Sequence, residues 1–383
     1  MMPAKILALI LFVIPAFTNA SMDIGVATHL SDYNQSSDDY RDIIKSLGFD
    51  SVRDGFSWNS VQNEAGKLNI SKQRINSDNF FAMNSRQSDD ISTLFVLGYG
   101  NNLYTHGGYP QNREQVDKFV DYVAWVATRY KGKVKYYEIW NEWLLGTGVG
   151  SKRNKPDDEI FLYLVKKSSE KIKQIDPSAV VLTGSVNPLH KNEVNWLNGL
   201  IDKGLMNYVD GISIHPYAFN EPASVRDPEG SFIALDSFEA SLTNRVGKAV
   251  SLYITEMGYP TGSGFTGGVS NIISAQNMVK YTLLAVSKNY VKGLWWYDLM
   301  DDGPDKKNKE HNFGLLYRDG SEKESAQLIK KLLPLIRNKN LLLTSSENQH
   351  YVITAQEGGQ LVWERGQNYS VQQWLIKING LNH

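Results

Sequence analysis

Short apolar runs rich in β-branched and aromatic residues recur along the chain, each followed by polar residues and then by a stretch with helical spacing. Compact apolar runs bounded by turn residues read as strands and a 3.6-residue period reads as helix, so the alternation predicts repeated βα units. Eight strands are predicted, at 24–28, 50–54, 93–97, 134–140, 180–184, 211–215, 251–256 and 293–298. The helix before the fourth is the clearest. Val116, Phe119, Val120, Val123 and Ala127 fall on one face, Asn112 and Gln115 form a capping box, and Gly132 closes the element. A helix over 325–337 completes the series, and 341–344, 351–355 and 360–363 read as strands of a small β appendage.

Eight βα units in about 315 residues fit a closed parallel (β/α)8 TIM barrel of the α/β class better than an open sheet. The open doubly wound sheet, the alternative, usually carries a glycine-rich phosphate turn after its first strand. Ile24-Gly25-Val26-Ala27-Thr28-His29 has none. The long irregular segments 101–112, 143–156, 217–231, 261–268 and 301–312 all follow strands, which places them on the face where barrel sites lie.

Composition narrows the partners. Forty Lys+Arg against 41 Asp+Glu give a net charge of −1, which argues against nucleic acid. A hydrophobic content of 42% with 21% charged residues supports a large core and excludes a mostly disordered chain. Cysteine is absent, which closes disulfide, thiolate and Cys–metal chemistry. Lys5, the apolar run 6–17 and Ala20 have the form of a secretory signal over 1–20, too short for a membrane span. The expected division is therefore a signal peptide at 1–20, a barrel at 21–337 and a β-rich extension at 338–383, in a secreted or periplasmic bacterial protein with no membrane span once the signal is removed. His29, His106, His190 and His215 are scattered without ligand spacing, so neither a metal nor another cofactor is expected.

Two carboxylates stand out. The fourth strand runs into Trp140-Asn141-Glu142-Trp143 and the seventh ends Ile254-Thr255-Glu256, so each Glu closes an apolar run where an uncompensated charge costs several kcal/mol. They are either unrelated ends of ion-pair networks or a working pair. Hydrolysis of a glycosidic bond needs two such acids, one protonated and one ionised. Asn141 is placed to bond a sugar hydroxyl and Arg53 to compensate a nearby carboxylate. His215, at the end of the sixth strand, is either a satisfied core histidine or part of the site. Trp295 and Trp296 are consecutive on a strand, so one faces the barrel interior and the other the helices; the inner one is a candidate floor for a pyranose, with Asp298, Asp301 and Asp302 bonding hydroxyls. Trp58, Tyr99 and Trp143 are further aromatic candidates for a groove.

With these motifs in barrel order, the sequence resembles the retaining glycoside hydrolases of clan A, through Trp140-Asn141-Glu142 and Ile254-Thr255-Glu256. Within that clan it is most similar to glycoside hydrolase family 39 and the PslG-type endoglycosidases of bacterial exopolysaccharide. That likeness rests on Ser51-Val52-Arg53-Asp54 with Trp58, Ile214-His215-Pro216-Tyr217, and Trp295-Trp296-Tyr297-Asp298 followed by Asp301-Asp302-Gly303. The resemblance implies Glu142 as acid/base, Glu256 as nucleophile, carboxyls about 5 to 5.5 Å apart, and Asn141 on the sugar 2-hydroxyl. Arg53, His215 and Tyr217 would orient the nucleophile or the sugar above it. The implied activity is that of a secreted, endo-acting retaining β-glycosidase on a bacterial exopolysaccharide, with no cofactor; the alternative is a carbohydrate-binding protein that keeps the barrel but does not hydrolyse.

Overall fold

The computed structural model describes residues 22–86, 90–337, 339–345 and 349–382; the expected signal segment 1–20 lies outside them. The first half runs β1 (Asp23–Ala27), α1 (Ser37–Ser46), β2 (Ser51–Asp54), the short α2 (Trp58–Val61), α3 (Ile75–Met83), β3 (Ser92–Leu97), α4 (Arg113–Arg129) and β4 (Tyr136–Ile139). The second continues with α5 (Asp158–Ile175), β5 (Val180–Leu182), α6 (Lys191–Asp202), β6 (Ile212–Ile214), the one-turn α7 (Ala223–Arg226), α8 (Pro228–Val246), β7 (Leu252–Met257), α9 (Asn271–Val286), β8 (Val291–Trp296) and α10 (Glu324–Ile336). Segment 217–231, expected to be irregular throughout, thus holds α7 and the first turn of α8.

The eight strands are hydrogen-bonded in the order β5-β4-β3-β2-β1-β8-β7-β6. Parallel bridges Leu182–Gly211 and Val186–Ile214 join β5 to β6 and close the ring. The fold is the (β/α)8 barrel the alternation predicts. Two apolar layers follow from strand geometry, because successive side chains point to opposite faces. Outward residues such as Val26, Val52, Phe95, Ile139 and Ile254 pack with the helices in one large core. Inward residues Leu94, Val96, Tyr136, Leu182, Tyr253 and Trp295 form a separate plug inside the barrel.

That plug explains Gly25. A Cβ built on Gly25 would lie 2.3 Å from Trp295 Cδ1, so β1 must carry a glycine where β8 carries the largest side chain. Above the plug the interior turns polar, which is where the site begins.

Helix α4 starts as expected, with the Asn112 side chain accepting from Gln115 N at 3.0 Å. The reciprocal half of the box is redirected: Gln115 Oε1 accepts from Gln111 N, one residue earlier, at 2.6 Å. After α10 the chain forms the antiparallel β9 (Leu341–Ser345), β10 (His350–Ala355) and β11 (Gln360–Glu364) in the order β11-β10-β9. A closing helix, α11 (Val371–Asn379), was absent from the sequence expectation. Its signal is present, since Ser370 and Gln373 make a full capping box. The appendage is tied to α8 through Trp363 Nε1 donating to Glu229 Oε1 at 2.6 Å and Arg365 paired with Asp227 at 2.7 Å. Among the described residues no helix is long and apolar enough to cross a membrane.

Candidate active site

The site is built where β2, β4, β6 and β7 end. At β4 the backbone leaves the strand through two left-handed non-glycine residues, Trp140 at φ 65° and Glu142 at φ 49°. Such conformations are costly for residues with a Cβ and concentrate at functional sites. Here the break removes the strict alternation of the strand. Trp140 turns into the helical layer and stacks on Tyr109, with ring centroids 6.0 Å apart, and Asn141 and Glu142 both face the mouth of the barrel. Gly184 on the neighbouring segment allows this, because a Cβ there would stand 2.4 Å from the Ile139 carbonyl oxygen.

Arg53, from β2, crosses the barrel interior and organises three partners. Its Nε donates to Glu138 Oε2 at 2.8 Å, its Nη1 to Glu256 Oε1 at 2.6 Å and its Nη2 to Asn141 Oδ1 at 3.0 Å. Burial works against the charge, but Glu138 and Glu256 raise the guanidinium pKa further and keep it protonated. Glu138 was not singled out in the sequence, yet it is fully buried. It also accepts from Thr255 Oγ1 at 2.8 Å. The only sequence signal for it is a charge in the middle of the apolar run Tyr136 to Ile139.

Asn141 is oriented by elimination. Its Oδ1 accepts from Arg53 and from Ser185 Oγ at 3.2 Å, so the amide N–H groups point outward. The amide nitrogen donates to Tyr99 Oη at 3.3 Å.

Glu256 is held on both oxygens, by Arg53 on Oε1 and by the Tyr217 hydroxyl, which donates to Oε2 at 3.2 Å. Burial and the Glu256 charge push the Tyr217 pKa well up, so it remains a phenol donor. Glu142 accepts from Thr147 Oγ1 at 2.7 Å and lies 3.0 Å from His215 Nδ1. The same Nδ1 is 3.5 Å from Glu256 Oε2, so one nitrogen bridges the two carboxylates. Glu142, His215 and Glu256 each present an atom within 4.8 Å of the other two.

The proton inventory follows from the far side of the imidazole. His215 Nε2 lies 3.0 Å from Thr255 Oγ1, whose own hydrogen is given to Glu138. Nε2 must therefore be the donor there, and Nδ1 and Glu142 share a single further proton. Burial lowers the His215 pKa, but Glu256 and Glu142 outweigh it and raise it above its usual 6.5. Burial raises that of Glu142, but the His215 and Thr147 hydrogen bonds hold it down at about 2. Both shifts favour the shared proton on His215 in the free site.

Among the residues singled out in the sequence, Arg53, Asn141, Glu142, His215, Tyr217 and Glu256 come together. Trp295, Trp296, Asp298, Trp58 and Trp143 do not join them, and Asp301 and Asp302 pair elsewhere, with Lys323 and His29. Trp295 faces the interior as expected, but it is fully buried in the plug below the site, with Nε1 donating to Ser51 Oγ at 2.9 Å. Trp296 faces the helices, is equally buried, and donates to Thr282 Oγ1 of α9 at 3.3 Å. Neither offers a ring face to a sugar, because the strand period puts one inside the plug and the other inside the outer core. Asp298 is wholly buried too and turns toward His29, 3.7 Å away, instead of toward the mouth. Trp58 and Trp143 are likewise fully buried packing residues. The half-buried aromatic at the end of β8 is Tyr297, one residue past the tryptophan pair, packed edge-on against His29 and Phe313. Its pKa is pushed up by burial first and then by the charges of Asp298 and Glu256.

Comparison with known proteins settles the family. A family model described as Cellulase (glycosyl hydrolase family 5) matches residues 18–299. The chain belongs to that family. It is a glycoside hydrolase of clan A, as the strand-end motifs imply. Its fold is similar to that of a family 39 glycoside hydrolase from the gut symbiont Bacteroides cellulosilyticus, at 23% identity and a TM-score of 0.71, covering 90% of this chain and 70% of that one. It is also similar to a GH5_18 protein of Bifidobacterium longum solved in complex with Manβ1-4GlcNAc, at 16% identity and a TM-score of 0.65, covering 83% and 79%. Xylanase 10B from Thermotoga maritima matches at 17% identity and a TM-score of 0.59, covering 82% and 95%. No curated protein sequence matches this family 5 hydrolase significantly.

Proposed function

We propose that this family 5 glycoside hydrolase cleaves a polysaccharide by double displacement, with Glu256 as nucleophile and Glu142 as acid and then base. The observation that carries the reading is the spacing of the two carboxylates, which bring oxygens within 4.8 Å of one another. A retaining pair stands about 5 to 5.5 Å apart, whereas an inverting pair leaves about 6.5 to 9.5 Å for a water.

Arg53 and Tyr217 fix the orientation of Glu256 and compensate its charge, and Oε2, which accepts from Tyr217, attacks the anomeric carbon through its other lone pair. As the glycosidic bond breaks, the shared proton passes from His215 Nδ1 to Glu142 and on to the leaving oxygen. A glycosyl ester on Glu256 results. Water then attacks the same carbon, Glu142 takes its proton, and Glu256 departs as the carboxylate. Asn141, with its carbonyl oxygen occupied, offers N–H to the sugar 2-hydroxyl.

The substrate we infer is a bacterial exopolysaccharide attacked within the chain, by a protein exported through residues 1–20, with 21–337 as the catalytic unit and 338–383 as an extension. The signal-like N-terminus and the clan A motifs support this reading. A cavity of about 360 Å³ lined by Phe219, Met257, Gly258, Lys280 and Asn368 lies apart from the two carboxylates, and none of the catalytic candidates lines it. The test is reducing-end release, with product masses, from a panel of bacterial exopolysaccharides and plant β-glycans. Oligosaccharides released by the wild type and lost in Glu142→Gln and Glu256→Gln are expected. Equal release by all three proteins overturns both assignments, and silence of the wild type across the panel favours a carbohydrate-binding protein.

A further inference from the structure

A second cluster of ligand-type side chains stands at the rim where β1 meets β8, using none of the residues assigned to catalysis. His29 follows β1, and Asp298 and Asp302 follow β8; the two strands pair directly, bringing the ends together across 273 residues. His29 Nδ1 is 2.7 Å from Asp302 Oδ1 and 3.7 Å from Asp298 Oδ2, and one donor atom of each residue lies within 4.8 Å of the others.

Four acids share this corner, and the way each is satisfied separates them. Asp54 accepts from Thr28 Oγ1, Leu30 N and Gly55 N at 3.0, 2.9 and 2.6 Å. Asp301 accepts from Lys323 Nζ at 2.6 Å and Gly314 N at 3.0 Å. Those two carboxylates are complete. Asp298 has no exposed surface, and neither of its side-chain oxygens accepts a hydrogen bond from any described residue. Ionising a buried carboxylate without hydrogen-bond donors is costly, so it either holds a proton or is answered by a cation. Asp302 has His29 as its partner, and both side chains reach solvent, 25% and 33% exposed.

We propose that His29, Asp298 and Asp302 form a binding site for one divalent transition-metal cation. The donor set decides the class: imidazole nitrogen with two carboxylates suits Zn²⁺ or Mn²⁺, while an all-oxygen cage would suit Ca²⁺. A tetrahedral ion about 2.0–2.2 Å from its ligands spaces them roughly 3.4 Å apart; His29 Nδ1 and Asp298 Oδ2 stand close to that at 3.7 Å, and the 2.7 Å hydrogen bond between His29 and Asp302 opens to admit the ion. Two carboxylates neutralise the ion without help from His29, which then binds as neutral imidazole. Three protein ligands leave a fourth position on the exposed side, open to water or a saccharide hydroxyl.

The full-length protein, freed of metal by chelator and dialysis, is titrated with ZnSO₄ and with MnCl₂ by calorimetry, and its metal content is measured after gel filtration. One ion per chain is expected for at least one of the two metals, with affinity at least tenfold weaker in Asp302→Asn and in Asp298→Asn. Circular dichroism and thermal unfolding without metal check that both variants fold. Glu142→Gln, which disrupts the other His–carboxylate group, is expected to keep one ion. No stoichiometric binding by the wild type at millimolar metal overturns the site. So does binding unchanged in both Asp variants, or binding lost in Glu142→Gln and retained in Asp302→Asn.

Discussion

Arg53 Nη1 donates to Glu256 Oε1 at 2.6 Å across 203 residues of sequence, and the same guanidinium neutralises the fully buried Glu138. One cation thus compensates both the candidate nucleophile and a carboxylate that cannot reach water. Arg53→Met leaves Glu138 uncompensated, and breaking a buried pair in this way costs about 3–5 kcal/mol. Urea unfolding is expected to show that loss, partly reversed by adding Glu138→Gln. A cost below about 1 kcal/mol, the range of a solvated surface pair, would contradict the network.

The shared proton sets a pH dependence. With His215 above its usual 6.5, the proton needed by Glu142 is present at and below that pH and is lost as pH rises through the higher value. The rate is therefore expected to fall on the alkaline side with an apparent pKa above 6.5. His215→Asn removes the group that holds the proton and also the cation that keeps Glu142 at about 2. Glu142 must then carry the proton itself, and the alkaline limb of kcat/KM moves to lower pH. An unmoved limb in the variant would show that His215 does not share it.

The aromatic residues of β8 divide by depth. Trp295→Ala empties the plug beside Gly25 and is expected to destabilise the barrel by about 3–5 kcal/mol, the cost of deleting a buried tryptophan. Tyr297→Ala is expected to leave the melting temperature within a few degrees and lower kcat/KM at least tenfold. Thermal unfolding and initial rates on both variants check the division, and the reverse pattern would return the sugar-facing role to Trp295.

The barrel was legible because its signal is repeated: eight apolar runs and their helices each carry the same period. The catalytic candidates were legible because Glu142 and Glu256 end such runs, where a charge has no packing explanation. Depth along a strand was not. Whether Trp295 or Tyr297 faces the mouth depends on two residues of height in the barrel and on Gly25 of a different strand, which no local pattern encodes. Glu138 and Thr255 were missed for the same reason, since their partners, Arg53 and His215, arrive from other strands. Helix α11 was missed although its capping box was readable, because three predicted strands had already given that segment a β character.

The central claim is that Glu256 forms a covalent bond to the sugar. The most direct measurement is intact-protein and peptide mass spectrometry after incubation with a panel of activated 2-deoxy-2-fluoro-β-glycosides, which trap a retaining enzyme at its ester. One sugar per chain on the peptide containing Glu256, absent from Glu256→Gln and present in wild type, is the predicted result. A label on Glu142, or an inverted anomer released from the natural polysaccharide with no adduct formed, would contradict it.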